Sequence, residues 1–560
     1  MENRMSVPSK PAVAAVTETK APLSSRDGEG TAYRELSRHS RDHRPHAVVI
    51  GAGLGGLSAG IHLAREGWRV SVFEKNARCG GRMNMIEEEG FRIDMGPTLL
   101  MMPEVIQGIF EACGRELKDY LDLRRLDPAY RVRFADGSSL EMCGSVEAMQ
   151  AEAARLSPAD ARNIPKMCAA MQRQYENARF NFIEKSFNGA TSLMRPQTLR
   201  GLAKALPLTS VYNFVARYVK DERLRQAFTF QTLYLGISPF ECPSIYALLP
   251  YIEMEFGVWY PMGGMMSVAD ALARLLREMG GEIHTETAVN RIVTEGRRAR
   301  GVQVDCFEGV PNSFVEADVV VANVDAPTAY SRLVPSALRR KHSDSQLATK
   351  EYGCSAHLLY LGVRDLEADF RHHEVLLSAD YQETLSAITK RKVIPVDPAL
   401  YVCIPTRTDP TLAPPGHDVV YVLTPCPHLG GPVDWETEGD RLRERVIDKL
   451  EGAGLPGLRQ KIVFERQFTP QDFESQYGCY QGSAFGLSPL FFQSSYFRPQ
   501  MRSEEVDGLY FAGAGTHPGG GVPIVLTSGR LAAETIAADR KAVGRQAPGR
   551  QREKESIVRD

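Results

Sequence analysis

The chain has 560 residues, a net charge of −2 and a hydrophobic content of 43%, so it is long enough for two or three lobes around sizeable cores and lacks the basic field that nucleic-acid binding requires. Its ten cysteines, at 79, 113, 143, 168, 242, 306, 354, 403, 426 and 479, form no C-x-x-C pair, which predicts buried thiols in a reducing compartment rather than disulfides or a zinc cluster. No run reaches the ~18–20 apolar residues of a membrane-spanning helix, and Ala12–Val16 is too short for a secretory core, so a soluble or membrane-surface protein is expected.

Residues 1–45, rich in Pro, Ser, Thr, Arg and Glu, read as a disordered extension. The fold is expected to start at His46. Ala47–Ile50 is a short apolar run, as in a strand buried on both faces of a parallel sheet. Gly51, Ala52, Gly53, Gly55 and Gly56 follow as G-x-G-x-x-G with an extra glycine. The first glycine permits a tight turn, the second lets a pyrophosphate approach, and the third lets the next helix pack on the strand. That helix would direct its free N–H groups at the phosphates. A second strand, Val70–Phe73, closes on Glu74, an acid placed to take the hydroxyls of an adenosine ribose. The turn alone does not distinguish NAD from FAD.

Met83–Gly96 predicts a hairpin, and Gly96-Pro97-Thr98 a turn. Residues 103–121 read as an amphipathic helix, and Arg131–Met142 as a hairpin turning at Asp136-Gly137. Ser145 to Tyr234 is mainly helical, with a helix start at Ser157-Pro158. Within it, Arg200–Lys220 is either an interfacial helix that dips into a bilayer or an ordinary surface helix broken by Pro207. Ala227–Tyr260 is aromatic and aliphatic with few charges; it suits plain core or the lining of a tunnel for a long hydrocarbon. A helix over Ser267–Met279, Gly280-Gly281, and strands at Glu282–Glu286, Ala288–Thr294, Arg300–Val304 and Asp318–Ala322 come next, the last ending in Asn323 and Asp325. From Ser336 to Gln467 strands and helices mix; the adjacent pair His372-His373 there reads as a solvated turn, and no metal site is expected. A strand at Gly508–Ala512 runs into Gly513-Ala514-Gly515-Thr516-His517-Pro518-Gly519-Gly520-Gly521-Val522-Pro523, followed by a helix over Ile524–Ala538 and a charged, frayed tail.

Cys79-Gly80-Gly81-Arg82, directly after Glu74, resembles the extended fingerprint of amine oxidase-like flavoproteins. With the stretch YLGISPFECPSIYALLPYIE, Pro261–Met265 and Gly513–Pro523, the chain resembles the bacterial-type phytoene desaturase family from about His46 to Ala538. The resemblance implies an α/β fold: a Rossmann-like FAD-binding domain (46–130, 260–335 and 468–540) with a mixed α+β substrate lobe (131–259 and 336–467) inserted in it and a charged tail at 541–560. It implies FAD as cofactor, with Gly80, Gly81, Arg82, Gly96, Pro97 and Thr98 near the flavin and the backbone of Val289 at the adenine. Gly513, Gly515, Thr516, Pro518, Gly519, Gly520, Gly521 and Val522 would contact the flavin, all but Pro518 through backbone N–H groups, since Ala514 stands where many flavoproteins carry an acid. It further implies desaturation of a linear isoprenoid, phytoene or a C30 analogue, by hydride transfer to flavin N5 and loss of a proton from the adjacent carbon. A carotenoid isomerase, a terminal-methyl oxygenase and a non-catalytic isoprenoid carrier are the alternatives on this scaffold. Arg82 and Asp94 lie near the expected flavin, but both have structural uses, so no catalytic base is assigned. A forty-carbon polyene costs on the order of 30 kcal/mol to dissolve in water, so the substrate would be drawn from a bilayer by a cytoplasmic protein held peripherally at the membrane's inner face.

Overall fold

The computed structural model describes residues 34–35, 43–187 and 209–556. Five parallel strands form the first sheet, in the order Glu282–His284, Arg69–Phe73, His46–Ile50, Val319–Ala322, Leu509–Phe511. In chain order this is 3-2-1-4-5, a doubly wound sheet that changes direction between His46–Ile50 and Val319–Ala322. Alternate residues of each strand feed two separate cores, as a two-residue side-chain period dictates. Ala47, Val49, Val70, Val72 and Val321 pack under the helices Leu54–Arg65, Met266–Glu278 and Val522–Ser556. Val48, Ile50, Phe73, Val320 and Ala322 pack on the other side against Ile292, Val302 and Val304. Those three belong to a meander of Val289–Glu295, Arg298–Phe307 and Val310–Glu316 that covers this face.

A second, seven-stranded sheet runs in the order Ile462–Phe468, Ser355–Arg364, His417–Cys426, Leu400–Cys403, His373–Leu376, Tyr130–Arg133, Ser139–Met142. It is antiparallel except where His373–Leu376 joins Tyr130–Arg133. That junction is pinned by Glu374, which is fully buried and accepts from Arg131 Nε at 2.9 Å and from Arg133 Nε at 2.9 Å. The helix Trp435–Gly452 covers one face of the sheet. A helical layer including Ile164–Ala178 and Leu248–Phe256 packs with the strands Tyr130–Arg133 and Ser139–Met142.

Several expectations are corrected. Two residues of the N-terminal extension, Arg34–Glu35, are a strand paired in parallel with Ser313 and Phe314; the rest of 1–42 lies outside the described residues. The helix expected over 103–121 ends at Ala112, where Cys113-Gly114 caps it and a short 3-10 turn, Leu117–Asp119, follows. The C-terminal helix does not stop at Ala538 but runs from Val522 to Ser556, through most of the segment expected to fray. Of Arg200–Lys220, residues 200–208 lie outside the described residues; the remainder holds only the short helix Val211–Val215. No described helix is long and apolar enough to cross a membrane.

Candidate active site

A cavity of about 650 Å³ opens at the carboxyl ends of the parallel strands, where the strand order reverses and doubly wound folds bind ligands. Three chain segments meet there. Gly51 takes φ +92°, a conformation that glycine adopts without strain, and its N–H donates to Phe73 O at 2.7 Å. A Cβ on Gly56 would lie 2.2 Å from Gly51 O, so helix and strand can touch only through glycine. A Cβ on Gly55 would lie 2.8 Å from Gly513 N, so the extra glycine admits the C-terminal turn. Asn323, just past the strand Val319–Ala322, ties the segments by donating Nδ2 to Gly51 O at 3.2 Å. The helix Leu54–Arg65 starts at Gly53 with no side-chain cap, and Gly53 and Leu54 line the cavity, so free N–H groups face it.

The second glycine turn is braced from behind. Arg498, buried, donates to the carbonyls of Ala514 (2.7 Å), Thr516 (3.2 Å) and Leu487 (3.2 Å). Gly513, Ala514, Pro518, Gly519, Gly520, Gly521 and Val522 line the cavity, and Val522 begins the long C-terminal helix. A Cβ on Gly519, Gly520 or Gly521 would meet nothing closer than 3.8 Å. These glycines therefore border space that a ligand can fill. Gly515 and Thr516 face away: Gly515 packs on the backbone of Asp325 and Ala326, and Thr516 Oγ1 donates to Pro499 O at 2.6 Å.

Glu74 is buried beside the first turn. Oε2 accepts from Ala52 N at 2.8 Å, and Oε1 from Asn76 N at 2.9 Å and Asn76 Nδ2 at 2.8 Å. Three of the carboxylate's roughly four acceptor positions are thus used inside the protein, and one remains toward the cavity. Val289 lines the same end, with Lys75 and Asn76. Gly80, Gly81, Arg82, Gly96 and Pro97 also line the cavity, whereas Ala52, Gly55, Gly56 and Thr98 support it from behind. Thr98 Oγ1 shares a 2.5 Å hydrogen bond with Tyr401 Oη, which in turn meets His373 Nδ1 at 2.8 Å. Arg82 donates to Ala484 O at 2.7 Å and lies 3.5 Å from Asp325 Oδ1. Asp94 caps the start of Met266–Glu278, accepting from Met265 N at 2.9 Å and Met266 N at 3.3 Å; burial pushes its pKa up to about 6.

Sequence reasoning passed over Asp325, which it noted only as a strand end. Asp325 lines the cavity and its buried Oδ2 has no hydrogen-bond partner. The cavity thus has a carboxylate after all, from just past the strand Val319–Ala322 rather than from the position of Ala514. Arg498 and His517 were also passed over. Burial lowers the His517 pKa to about 4, and its Nε2 lies 2.8 Å from Lys185 O. The pair His372-His373 is not a solvated turn. Both residues are buried, because His373 opens a strand paired with Cys403 inside the seven-stranded sheet. Burial lowers both pKa values, His372 to about 3, and ligand atoms of the pair and Cys403 lie within 4.8 Å of one another. Seven of the ten free cysteines are buried, as the thiol reading expects.

The other half of the cavity is apolar. Leu235, Pro243, Ile245, Leu248, Leu249 and Ile252 line it from the stretch Ala227–Tyr260, opposite Leu358 and Leu423 of the seven-stranded sheet. That stretch is therefore tunnel lining on one face and core on the other, where Phe228 and Phe230 pack. Phe182, Phe187, Phe491 and Phe497 also line the cavity, and Phe187 packs edge-on against His517 of the second glycine turn with ring centroids 5.1 Å apart.

Two capless or glycine-led helix starts, one free acceptor at Glu74, an orphaned Asp325 oxygen and an open glycine cradle fit a long anionic dinucleotide carrying a flat ring. The comparisons with known proteins agree. The model of the flavin containing amine oxidoreductase family matches residues 54–537, and the chain belongs to that class of FAD-dependent oxidoreductases. An oxidoreductase of Methanosarcina mazei has the same fold, with a TM-score of 0.60, 21% identity, and 87% of this chain and 100% of that one covered. The cyclohexylamine oxidase of Brevibacterium oxydans is similar, at a TM-score of 0.55 and 16% identity over 89% and 100% of the two chains. The zeta-carotene-forming phytoene desaturase of Myxococcus xanthus is 40% identical, over 87% of this chain and 93% of its own length. The neurosporene-forming phytoene desaturase of Cereibacter sphaeroides is 36% identical over 87% and 94%, and the 4,4'-diapophytoene desaturase of a Methylomonas species 34% over 88% and 95%. Within the flavoprotein class, the chain is a member of the bacterial-type phytoene desaturase family.

Proposed function

We propose that this protein is an FAD-dependent carotenoid desaturase whose cavity holds cofactor and polyene end to end. The observation that carries the reading is continuity: the polar end between two glycine turns opens directly into a chamber walled by aliphatic and aromatic side chains. Bound FAD supplies a two-electron acceptor for the hydrogen removed as hydride. The protein's own contribution is binding and orientation. Gly53 and Leu54 would direct N–H groups at the diphosphate, Glu74 would accept from the ribose, and Gly513–Val522 would cradle the ring. Ile245, Leu249, Ile252 and Leu423 would align the chain and keep water out.

The substrate we favour is phytoene, with the C30 analogue second, because the relatives at 40% and 36% identity are named for the former and one at 34% for the latter. An isomerase or methyl oxygenase is not favoured, since each of these relatives is a desaturase. Expression in phytoene-accumulating cells tests the reading. Pigments lighter by multiples of two hydrogens are the expected product; unchanged mass or added oxygen, with the C30 substrate as well, refutes it.

Membrane contact is part of the same proposal. Phe491, Phe492 and Phe497 form a ring cluster of which Phe491 and Phe497 line the cavity, and Phe492 is 73% and Phe497 43% exposed. Phe180, on the neighbouring segment Arg179–Ile183, is 56% exposed. Rings left in water beside the entrance of an apolar chamber suit a face that sits in the headgroup layer and takes substrate directly from the bilayer.

A further inference from the structure

Desaturation releases one proton for each double bond formed, and an apolar chamber offers that proton few places to go. Among the carboxylates near the cavity, Glu74 and Asp325 sit at its glycine-turn end, the first held by Ala52 and Asn76 with one acceptor position left for the cofactor and the second beside Arg82. A third carboxylate stands behind the apolar wall. Glu253 belongs to the helix Leu248–Phe256, whose Leu248, Leu249 and Ile252 line the chamber. Its side chain is 3% exposed. Oε2 accepts from Tyr130 Oη at 2.5 Å and from Gln231 Nε2 at 3.4 Å, and Gln231 also donates to Tyr130 Oη at 2.9 Å. Oε1 has no partner.

Between this carboxylate and the chamber stands Tyr234, on the 3-10 segment Phe230–Leu235. Its hydroxyl lies close enough to Glu253 and Tyr130 for each to raise its pKa, yet neither it nor Glu253 Oε1 makes a well-formed hydrogen bond. The polar groups that act on Glu253 are Tyr130 from its strand and Gln231 and Tyr234 from the 3-10 segment; no cation is among them. Burial pushes the Glu253 pKa up to about 7, with the hydrogen bonds of Tyr130 and Gln231 and the nearby Tyr234 hydroxyl pulling the other way. A buried carboxyl with an unused oxygen and no counter-charge costs folding free energy. A group poised near neutrality beside a cavity is what proton transfer requires.

We propose that Tyr234 and Glu253 are the proton-accepting pair of the desaturation. The proposal rests on the desaturase reading above. The substrate is oxidised by two electrons, which leave as a hydride from one carbon to FAD. The C–H bond of the neighbouring carbon then breaks, its electrons form the new C=C bond, and its proton passes to Tyr234 Oη. The hydroxyl proton of Tyr234 passes at the same time to Glu253 Oε1, so the phenol is unchanged and the carboxylate ends as the acid. Tyr234 is the catalytic residue in this account, because it faces the substrate; Glu253 acts through it.

The test uses purified holoenzyme and phytoene in vesicles, with anaerobic flavin bleaching followed from pH 5.5 to 9. The wild-type rate should rise through an ionisation near pH 7 and then level. Glu253→Gln should bleach roughly 10²–10⁴-fold more slowly and without that rise. Tyr234→Phe should be slowed comparably; its hydroxyl makes no well-formed hydrogen bond at rest, so this variant folds even where Glu253→Gln fails to. Flavin content should equal wild type in both. Infrared difference spectra should show a protonated-carboxyl C=O band between pH 6 and pH 8 that Glu253→Gln lacks. Wild-type rates and pH profile in Tyr234→Phe, or a carboxyl band that survives Glu253→Gln, overturn the proposal. Failure of the wild type to bleach with either phytoene or its C30 analogue is a different result, and refutes the desaturase reading on which the pair depends.

Discussion

Glu74→Gln separates two uses of one carboxylate. In the structure Oε2 holds Ala52 N and Oε1 holds both Asn76 donors. A glutamine offers one acceptor oxygen. Turned toward Asn76, it sets its NH₂ against the buried Ala52 N–H; turned the other way, it abandons two donors. The first orientation loses one charge-assisted bond, worth about 1.5–3 kcal/mol, and weakens two more from charged to neutral, about 0.5–1 kcal/mol each. The sum is about 2.5–5 kcal/mol, paid by the apoprotein. For a chain of this length that is a fall in melting temperature of about 2–4 °C. The remaining acceptor position would serve the FAD ribose, and its loss should raise the FAD dissociation constant by about 10–100-fold, from 1.5–3 kcal/mol at 1.4 kcal/mol per decade. Thermal unfolding of apoprotein and FAD titration by fluorescence quenching read the two effects separately. An apoprotein that melts as wild type would show that the bonds to Ala52 and Asn76 are not what holds the glycine turn. An unchanged dissociation constant would remove Glu74 from the cofactor site.

Glu374→Ala leaves Arg131 and Arg133 with an empty pocket at the one parallel junction of the seven-stranded sheet; breaking a buried pair this way should destabilise the protein by about 3–5 kcal/mol, seen as a lower urea midpoint, and a midpoint unchanged from wild type contradicts the pinning role. His62 is 6% exposed with Nε2 unpartnered, and burial, helped by Arg65 and Arg530, lowers its pKa to about 4. Its contribution is present above the unfolded pKa of 6.5 and is lost as pH falls toward 4, so wild type should lose about 2 kcal/mol at this site between pH 7 and pH 5; in His62→Leu the drop in unfolding free energy between those pH values should shrink by that amount, and an equal drop refutes the assignment. Phe492→Ser with Phe497→Ser should reduce co-sedimentation with vesicles by at least about tenfold, given about 1.5–3 kcal/mol for each ring buried in lipid, while leaving the melting temperature within a degree; undiminished binding places the membrane face elsewhere.

The cofactor half of this protein was legible because its chemistry is local. Gly51–Gly56, Glu74 and Gly513–Val522 each sit within a single strand–turn–helix unit, and the steric demand on glycine acts over a few residues: a Cβ on Gly56 would meet Gly51 O at 2.2 Å. The apolar composition of Ala227–Tyr260 likewise announced a hydrocarbon wall or a core, and it is both. What the sequence did not carry were the pairings across long separations. Nothing local to Asp325 says that its Oδ2 is left unpartnered in a cavity shared with Arg82 and Arg498. Nothing local to His372-His373 says that the pair is buried, since that depends on the strand containing Cys403 lying alongside. Glu253 reads as one of two acids, with Glu255, on an otherwise apolar helix. Its isolation from any cation and its contact with Tyr130 and Gln231 exist only once strand, 3-10 segment and helix are packed together. Composition and short-range sterics determined a dinucleotide-type glycine turn and an apolar stretch, and the family resemblance added the flavin and the isoprenoid; the tertiary structure alone decided which buried charges surround them, because desolvation and partner distance are properties of the packed state.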